Sequence, residues 1–273
     1  MTDPHSFDAK PDGDTRVDSE HQPIIEHLRE FKKRLLIAVG AYAFAVIISY
    51  FFAEKFYAFL VQPLADAMAD EDSRRLIYTG LLETFFTYLK LSMTLGLMLS
   101  FPIVASQIYL FLAPGLYKKE KAVFLPYLFA APACFLIGAA FCYYFIFPNA
   151  WQFFLSFETL GGEGQLPIQL EAKVSEYLSL VTQLIIAFGL AFQLPVVLVL
   201  LSQFGVIKAA TIAGGRKYAL VIIVACSAII TPPDIFSQIA LSIPVYALYE
   251  LSIILCRMVE KSAKRNESNE GGQ

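Results

Sequence analysis

The chain has 273 residues, 57 % of them hydrophobic and 16 % charged, with a net charge of −3 and a mean hydropathy of +0.58. A soluble domain of this length needs more polar surface than that, so the membrane is the expected solvent. Catalytic machinery is poorly provided for: His5, His21 and His27 all precede the first apolar run, and no P-loop, HExxH or GxSxG pattern occurs.

Residues 1–22 hold six carboxylates against Lys10 and Arg16 and lack an apolar core. They read as a disordered acidic tail and not as a cleavable signal peptide. Residues 23–34 then read as an amphipathic lead-in helix, because Ile24, Leu28, Phe31 and Leu35 recur at helical spacing and Pro23 suits a first turn. Four spans follow at about 35–53, 85–112, 122–147 and 177–204. Their charge-free runs, 35–53, 91–112, 122–147 and 177–207, are each long enough to cross a hydrocarbon core of roughly 30 Å at about 1.5 Å per residue. Two shorter apolar segments close the domain at about 218–231 and 235–256, separated by Thr231-Pro232-Pro233-Asp234. By length they form either a re-entrant hairpin or two short spans in a locally thinned bilayer. Residues 260–273 read as a second disordered tail, which leaves 23–259 as an all-α membrane domain of six helices.

Lysine and arginine placement orients it. Sixteen of the 21 lie before residue 35, in 113–121, in 205–217 or after 256; Lys55, Arg74, Arg75 and Lys173 lie on the other side, and Lys90 within the second span. The positive-inside rule then puts both termini in the cytoplasm. On the opposite face, 55–69 and 148–176 carry Phe56, Tyr57, Trp151, Phe153, Phe154 and Phe157. Both read as interfacial caps with aromatics at headgroup depth. Pro102, Pro126, Pro132, Pro195 and Pro244 fall within spans, where each bends its helix, so a bent, concave wall is expected. Cys134, Cys142, Cys226 and Cys256 sit in apolar surroundings and read as small buried thiols.

Acids are scarce on the basic face outside its tails: Glu26, Glu30 and Glu120. A carboxylate held among lysines can receive a guanidinium through two charge-assisted bonds, each worth about 1.5–3 kcal/mol. The same carboxylates have internal partners: Arg34 stands at i+4 from Glu30, and Lys118, Lys119 and Lys121 surround Glu120. Both readings stand on charge pattern alone.

The run Pro23-Ile-Ile-Glu-His-Leu-Arg-Glu-Phe-Lys-Lys-Arg34 is similar to the amino-terminal signature of the TatC family, His-Leu-x-Glu-Leu-Arg-x-Arg. Gln107-Ile-Tyr-Leu-Phe-Leu-Ala-Pro-Gly-Leu-Tyr-Lys-Lys-Glu120 resembles that family's first cytoplasmic loop. Phe147-Pro148, Ala187-Phe-Gly-Leu-Ala-Phe-Gln-Leu-Pro195 and Thr231-Pro-Pro-Asp-Ile-Phe-Ser-Gln238 match further blocks in order. The resemblance implies the core receptor of the twin-arginine translocase in a bacterial inner membrane. Such a receptor binds twin-arginine signal peptides of folded cargo through Glu30, Glu120 and Phe111, with Lys32 and Arg34 beside them. It also implies single-span TatA- and TatB-type partners docking near the fifth span, self-association, and transport driven by the proton-motive force without nucleotide, nucleic acid, metal or cofactor. Phe31 and Lys32 depart from the family's leucine and arginine, and Lys32 keeps the charge but loses the planar fork. Gln193 stands where most relatives carry glutamate, so this mid-span site is either a neutral docking point or a glutamine serving a carbonyl freed by Pro195. Glu83 and Lys90 match the family at the outer end of the second span and read as interface anchors with a partner role open. A small-solute transporter is the rival class, but it would want midplane acids and repeated halves. A membrane protease would need a base or a second aspartate beside Asp234.

Overall fold

The computed structural model describes residues 18–68, 76–112, 121–159, 166, 168–230 and 235–270. Among them the chain is helical, and the strand-like pairings are two isolated bridges, Ile77 with Lys173 and Thr159 with Ile168. Glu120, Thr231–Asp234 and most of the acidic tail lie outside the described residues.

Helix α1 (Asp18–Phe51) joins the lead-in to the first span without a break, and a turn at Phe52 opens α2 (Ala53–Ala67). Next come α3 (Glu83–Leu112) and α4 (Lys121–Phe141), which passes through a π-helical turn at Cys142–Ile146 into α5 (Phe147–Leu155). Helices α6 (Val174–Ala191) and α7 (Leu194–Gln203) make one interrupted span. The short α8 (Ala209–Gly214) leads to α9 (Arg216–Ile230) and α10 (Ile235–Glu270). Helix α10 runs beyond the expected 256 because 257–270 contains neither proline nor glycine to stop it.

Among the described residues, five stretches are long and apolar enough to cross a membrane: Ile25–Phe51, Glu83–Phe111, Pro126–Leu155, Val174–Gln203 and Gln238–Ser262. At 15 residues, α9 is only about 22 Å long.

Each helix break has a local cause and a local repair. Pro195 has no N–H for the Ala191 carbonyl, and the backbone tightens just before it, the Gln193 N–H bonding Leu190 O at 3.0 Å. Pro63 likewise leaves the Phe59 carbonyl without its helical donor, and the Tyr143 hydroxyl donates to that oxygen at 2.8 Å. Helix α7 ends on Gly205, whose φ of 70° is the left-handed residue of a Schellman cap. The Gly205 N–H bonds Ser202 O, and the Val206 N–H bonds Leu201 O.

The core is aromatic and lies between α4, α6 and the outer caps, with Phe135, Phe147 and Phe188 fully buried. The two outer segments are helical as α2 and α5, and their aromatics differ in exposure: Trp151 is 4 % exposed and packs against Phe147 and Tyr177. The reason is that α5 lies on α2, and the face carrying Phe147, Ala150 and Trp151 closes over that contact. Phe157 does remain exposed. Cys226 departs from expectation: it is exposed on α9, whereas Cys142 and Cys256 are buried.

Helix α1 depends on one neighbour. Only 11 % of its apolar window is buried, and its main contact is α3. Small residues bring the two backbones together: Ser49 and Ser92 are fully buried, each returning its hydroxyl to its own helix at 2.7 Å. A Cβ on Gly96 would lie 2.9 Å from the Cα of Val46, and backbone cannot move aside as a side chain can. Gly96→Val should therefore destabilise the protein by about 1–3 kcal/mol, as overpacked cores do. A thermal-unfolding transition unchanged from wild type would show that α1 and α3 are not this close.

Candidate functional site

The site is built where α1 meets the end of α3. His27, Glu30, Phe31 and Arg34 stand at i, i+3, i+4 and i+7 and so share one face of α1. Phe111, half-buried at the last turn of α3, meets that face. The His27 ring stacks on it with centroids 4.5 Å apart and planes at 25°, and Phe31 leans on it at 5.2 Å and 60°. Beside the aromatic stack, Arg34 places two donors on a single oxygen of Glu30: Nε at 3.0 Å and Nη2 at 2.6 Å, both on Oε1. The pair is partly exposed, 22 % for the Arg34 side chain and 31 % for Glu30. No bond to Glu30 Oε2 is made among the described residues. Of the expected site residues, the structure thus brings together Glu30, Arg34 and Phe111. Lys32 is exposed and lies off the shared face. His27 and Phe31 were not expected to contact Phe111, because α1 and α3 meet here only through tertiary packing.

At the other end of α3, Glu83 and Lys90 brace α6. Glu83 Oε1 accepts the Ser175 hydroxyl at 2.6 Å and the Ser175 N–H at 3.3 Å. Its Oε2 accepts the N–H groups of Thr79 at 2.8 Å and Gly80 at 3.1 Å. Lys90 Nζ donates to Ser179 Oγ at 2.9 Å. Residues seven apart on α3 thus read residues four apart on α6, which fixes how the two spans meet.

Gln193 sits in the turn between α6 and α7. Its Nε2 donates to the Ala131 carbonyl on α4 at 2.9 Å and reaches Gly189 O at 3.5 Å. Gly189 O is the carbonyl that loses its usual i+4 donor when the Gln193 N–H turns to Leu190. The amide therefore serves the broken helix and ties it to α4.

Two acids were missing from the sequence-based set. Glu250 takes a fork from Arg216, Nε to Oε1 at 2.7 Å and Nη2 to Oε2 at 2.9 Å, with the Tyr246 hydroxyl at 3.2 Å. Glu260 Oε1 accepts the Ala209 N–H at 2.6 Å and Ser202 Oγ at 3.2 Å. Both carboxylates face groups 34 or more residues away, which no local pattern reveals. Near them, an apolar cavity of about 470 Å³ opens between α6, α7, α9 and α10, lined by Leu190, Leu194, Ile222, Cys226, Leu241 and Val245 among others. Among the described residues, no three potential ligands cluster as a metal site would require.

This geometry places an aromatic surface beside a partly exposed carboxylate, an arrangement to which a cationic group can bond. Comparison with known proteins gives the family. The family model for TatC, the Sec-independent protein translocase protein, matches residues 26–244. The Sec-independent protein translocase protein TatC of Rickettsia prowazekii is 48 % identical over 86 % of this chain and 92 % of its own length. That of Escherichia coli K12 is 35 % identical over 90 % and 93 %. A crystal structure of the twin-arginine translocase receptor TatC superposes with a TM-score of 0.74 at 33 % identity, covering 86 % of this chain and 99 % of that one. The chain belongs to the TatC family: it is a multi-pass bacterial membrane protein and a core component of the twin-arginine translocase, a transport subunit and not an enzyme.

Proposed function

We propose that this chain is the translocase's receptor for twin-arginine signal peptides, and that Glu30, Phe111 and Glu120, with Lys32 and Arg34 beside them, receive them on the cytoplasmic face of the inner membrane. The observation that carries this is the Glu30 carboxylate, partly exposed beside the Phe111 stack with one oxygen uncommitted among the described residues. Basic-residue placement supports the orientation, because it sets both termini on the side where α1 begins. In that arrangement α9 is a sixth, short span, and the proline-bent helices form a concave wall.

TatA- and TatB-type single-span partners dock along this wall beside α9. The apolar cavity between α6, α7, α9 and α10 supports that placement, since a partner helix in lipid gains from shape and packing more than from apolarity itself. Gln193 contributes its remaining carbonyl oxygen as a neutral polar contact near mid-span, and Glu83 and Lys90 hold the outer end. Self-association and energy from the proton-motive force complete the reading, with no cofactor.

Binding of the purified protein to a twin-arginine peptide and to its twin-lysine counterpart tests the receptor role. Glu30→Ala and Glu120→Ala should each weaken arginine-peptide binding about tenfold or more, because one charge-assisted bond of about 1.5–3 kcal/mol is lost and 1.4 kcal/mol is a factor of ten. Equal, weak binding of both peptides by the wild type and both variants would overturn the proposal. For the mid-span site, Gln193→Glu should retain precursor export if polarity alone is required. Export abolished in a stably inserted Gln193→Glu protein would sink the neutral-contact reading.

A further inference from the structure

Glu30 differs from Glu83 and Glu250 in how its oxygens are used, and shares with Glu260 the placing of two donors on one oxygen. Glu83 has bonds on both oxygens, and Glu250 meets Arg216 with both. Glu30 takes both Arg34 donors on Oε1, at 3.0 and 2.6 Å. A guanidinium competing for the carboxylate would be expected to claim both oxygens, as Arg216 does. One that lands twice on the same oxygen leaves the second open while removing the side chain's freedom to rotate. The neighbouring row of the same helix face acts in the same direction: His27 and Phe31 are packed on Phe111, which fixes how α1 is turned against α3. Glu30 is thereby held at its base by the aromatic contact and at its tip by Arg34.

We infer that Arg34 is a positioning residue for signal-peptide recognition. It orients the Glu30 carboxylate so that Oε2 meets an incoming guanidinium of the ligand, and it makes no contact with the peptide itself. This rests on the receptor reading above. Its consequence has a sign opposite to that of simple charge. Removing a cation from a site that binds a cationic peptide should, on Coulomb's law alone, tighten binding. Removing a cation that orients the acceptor should weaken binding and should do so most for the ligand that needs orientation. Arginine, whose donors lie in one rigid plane and need the oxygen presented in a set direction, loses more than lysine, whose ammonium donates to a carboxylate from many directions.

The test uses the full-length purified protein in detergent at physiological salt, with fluorescence anisotropy of labelled twin-arginine and twin-lysine peptides. The variants are Arg34→Gln, Arg34→Lys, Glu30→Ala and the double variant Arg34→Gln/Glu30→Ala. Arg34→Gln is expected to weaken the arginine peptide by about two- to fivefold, a range set by the modest strength of partly exposed pairs. The lysine peptide should change less, so the preference between them falls. Arg34→Lys should recover part of that preference, and in the Glu30→Ala background Arg34→Gln should weaken binding no further. Tighter binding of both peptides by Arg34→Gln with their ratio unchanged would overturn the inference and make Arg34 an internal competitor. Unchanged affinities in both Arg34 variants would overturn it as well. Failure of the underlying reading is a separate result: the wild type would then show no preference for arginine, and Glu30→Ala would match it.

Discussion

In a hydrocarbon solvent, a backbone N–H or C=O that loses its helical partner finds no water to replace it and must be served from within the chain. The interrupted helices here obey that constraint through side chains placed beside each break. Tyr143 serves the carbonyl opposite Pro63, and the Gln193 amide reaches the carbonyl stranded where α6 gives way to α7. Many serines and threonines of the spans return their hydroxyls to carbonyls three or four residues back, including Ser49, Thr87, Ser92, Thr94, Thr182, Ser242 and Ser252. Such residues stay compact and present little polarity to lipid, so two of them can lie at the α1–α3 contact where the backbones approach.

The charged groups follow a related economy. Glu83 and Lys90 lock α3 to α6, Glu250 locks α10 to the start of α9, and Glu260 holds the first N–H of α8 and the end of α7. These are long-range braces between elements, in which each ion is matched by a partner without being fully buried. Glu30 stands apart: its partner is one turn away on its own helix, so it fastens no second element. Freedom from a bracing duty is what the proposed receptor role asks of it.

Much of this was legible in the sequence because hydropathy and helix length act locally. The four long spans, the breaks near Pro195 and between α1 and α2, and the basic face all follow from runs and spacings along the chain. The i, i+4 pairing of Glu30 with Arg34 was legible for the same reason. The contact of His27 and Phe31 with Phe111 was not, since two apolar helix faces carry no record of which other helix they meet. Glu250 and Glu260 escaped notice for a similar reason, being acids whose partners lie on other elements. The burial of Trp151 was likewise not legible, because it depends on α5 lying against α2.

The bond from Tyr143 to the Phe59 carbonyl joins two irregularities in separate helices. Pro63 creates an orphan acceptor in the outer cap, and the π-helical turn of the third span carries the hydroxyl that answers it. Neither irregularity is complete alone. If Pro63 were replaced by a residue with an N–H, that donor would contend for the same oxygen, and the tyrosine would lose its reason to be there. If Tyr143 lost its hydroxyl, the proline would become a defect. The cost of changing either position therefore depends on the state of the other.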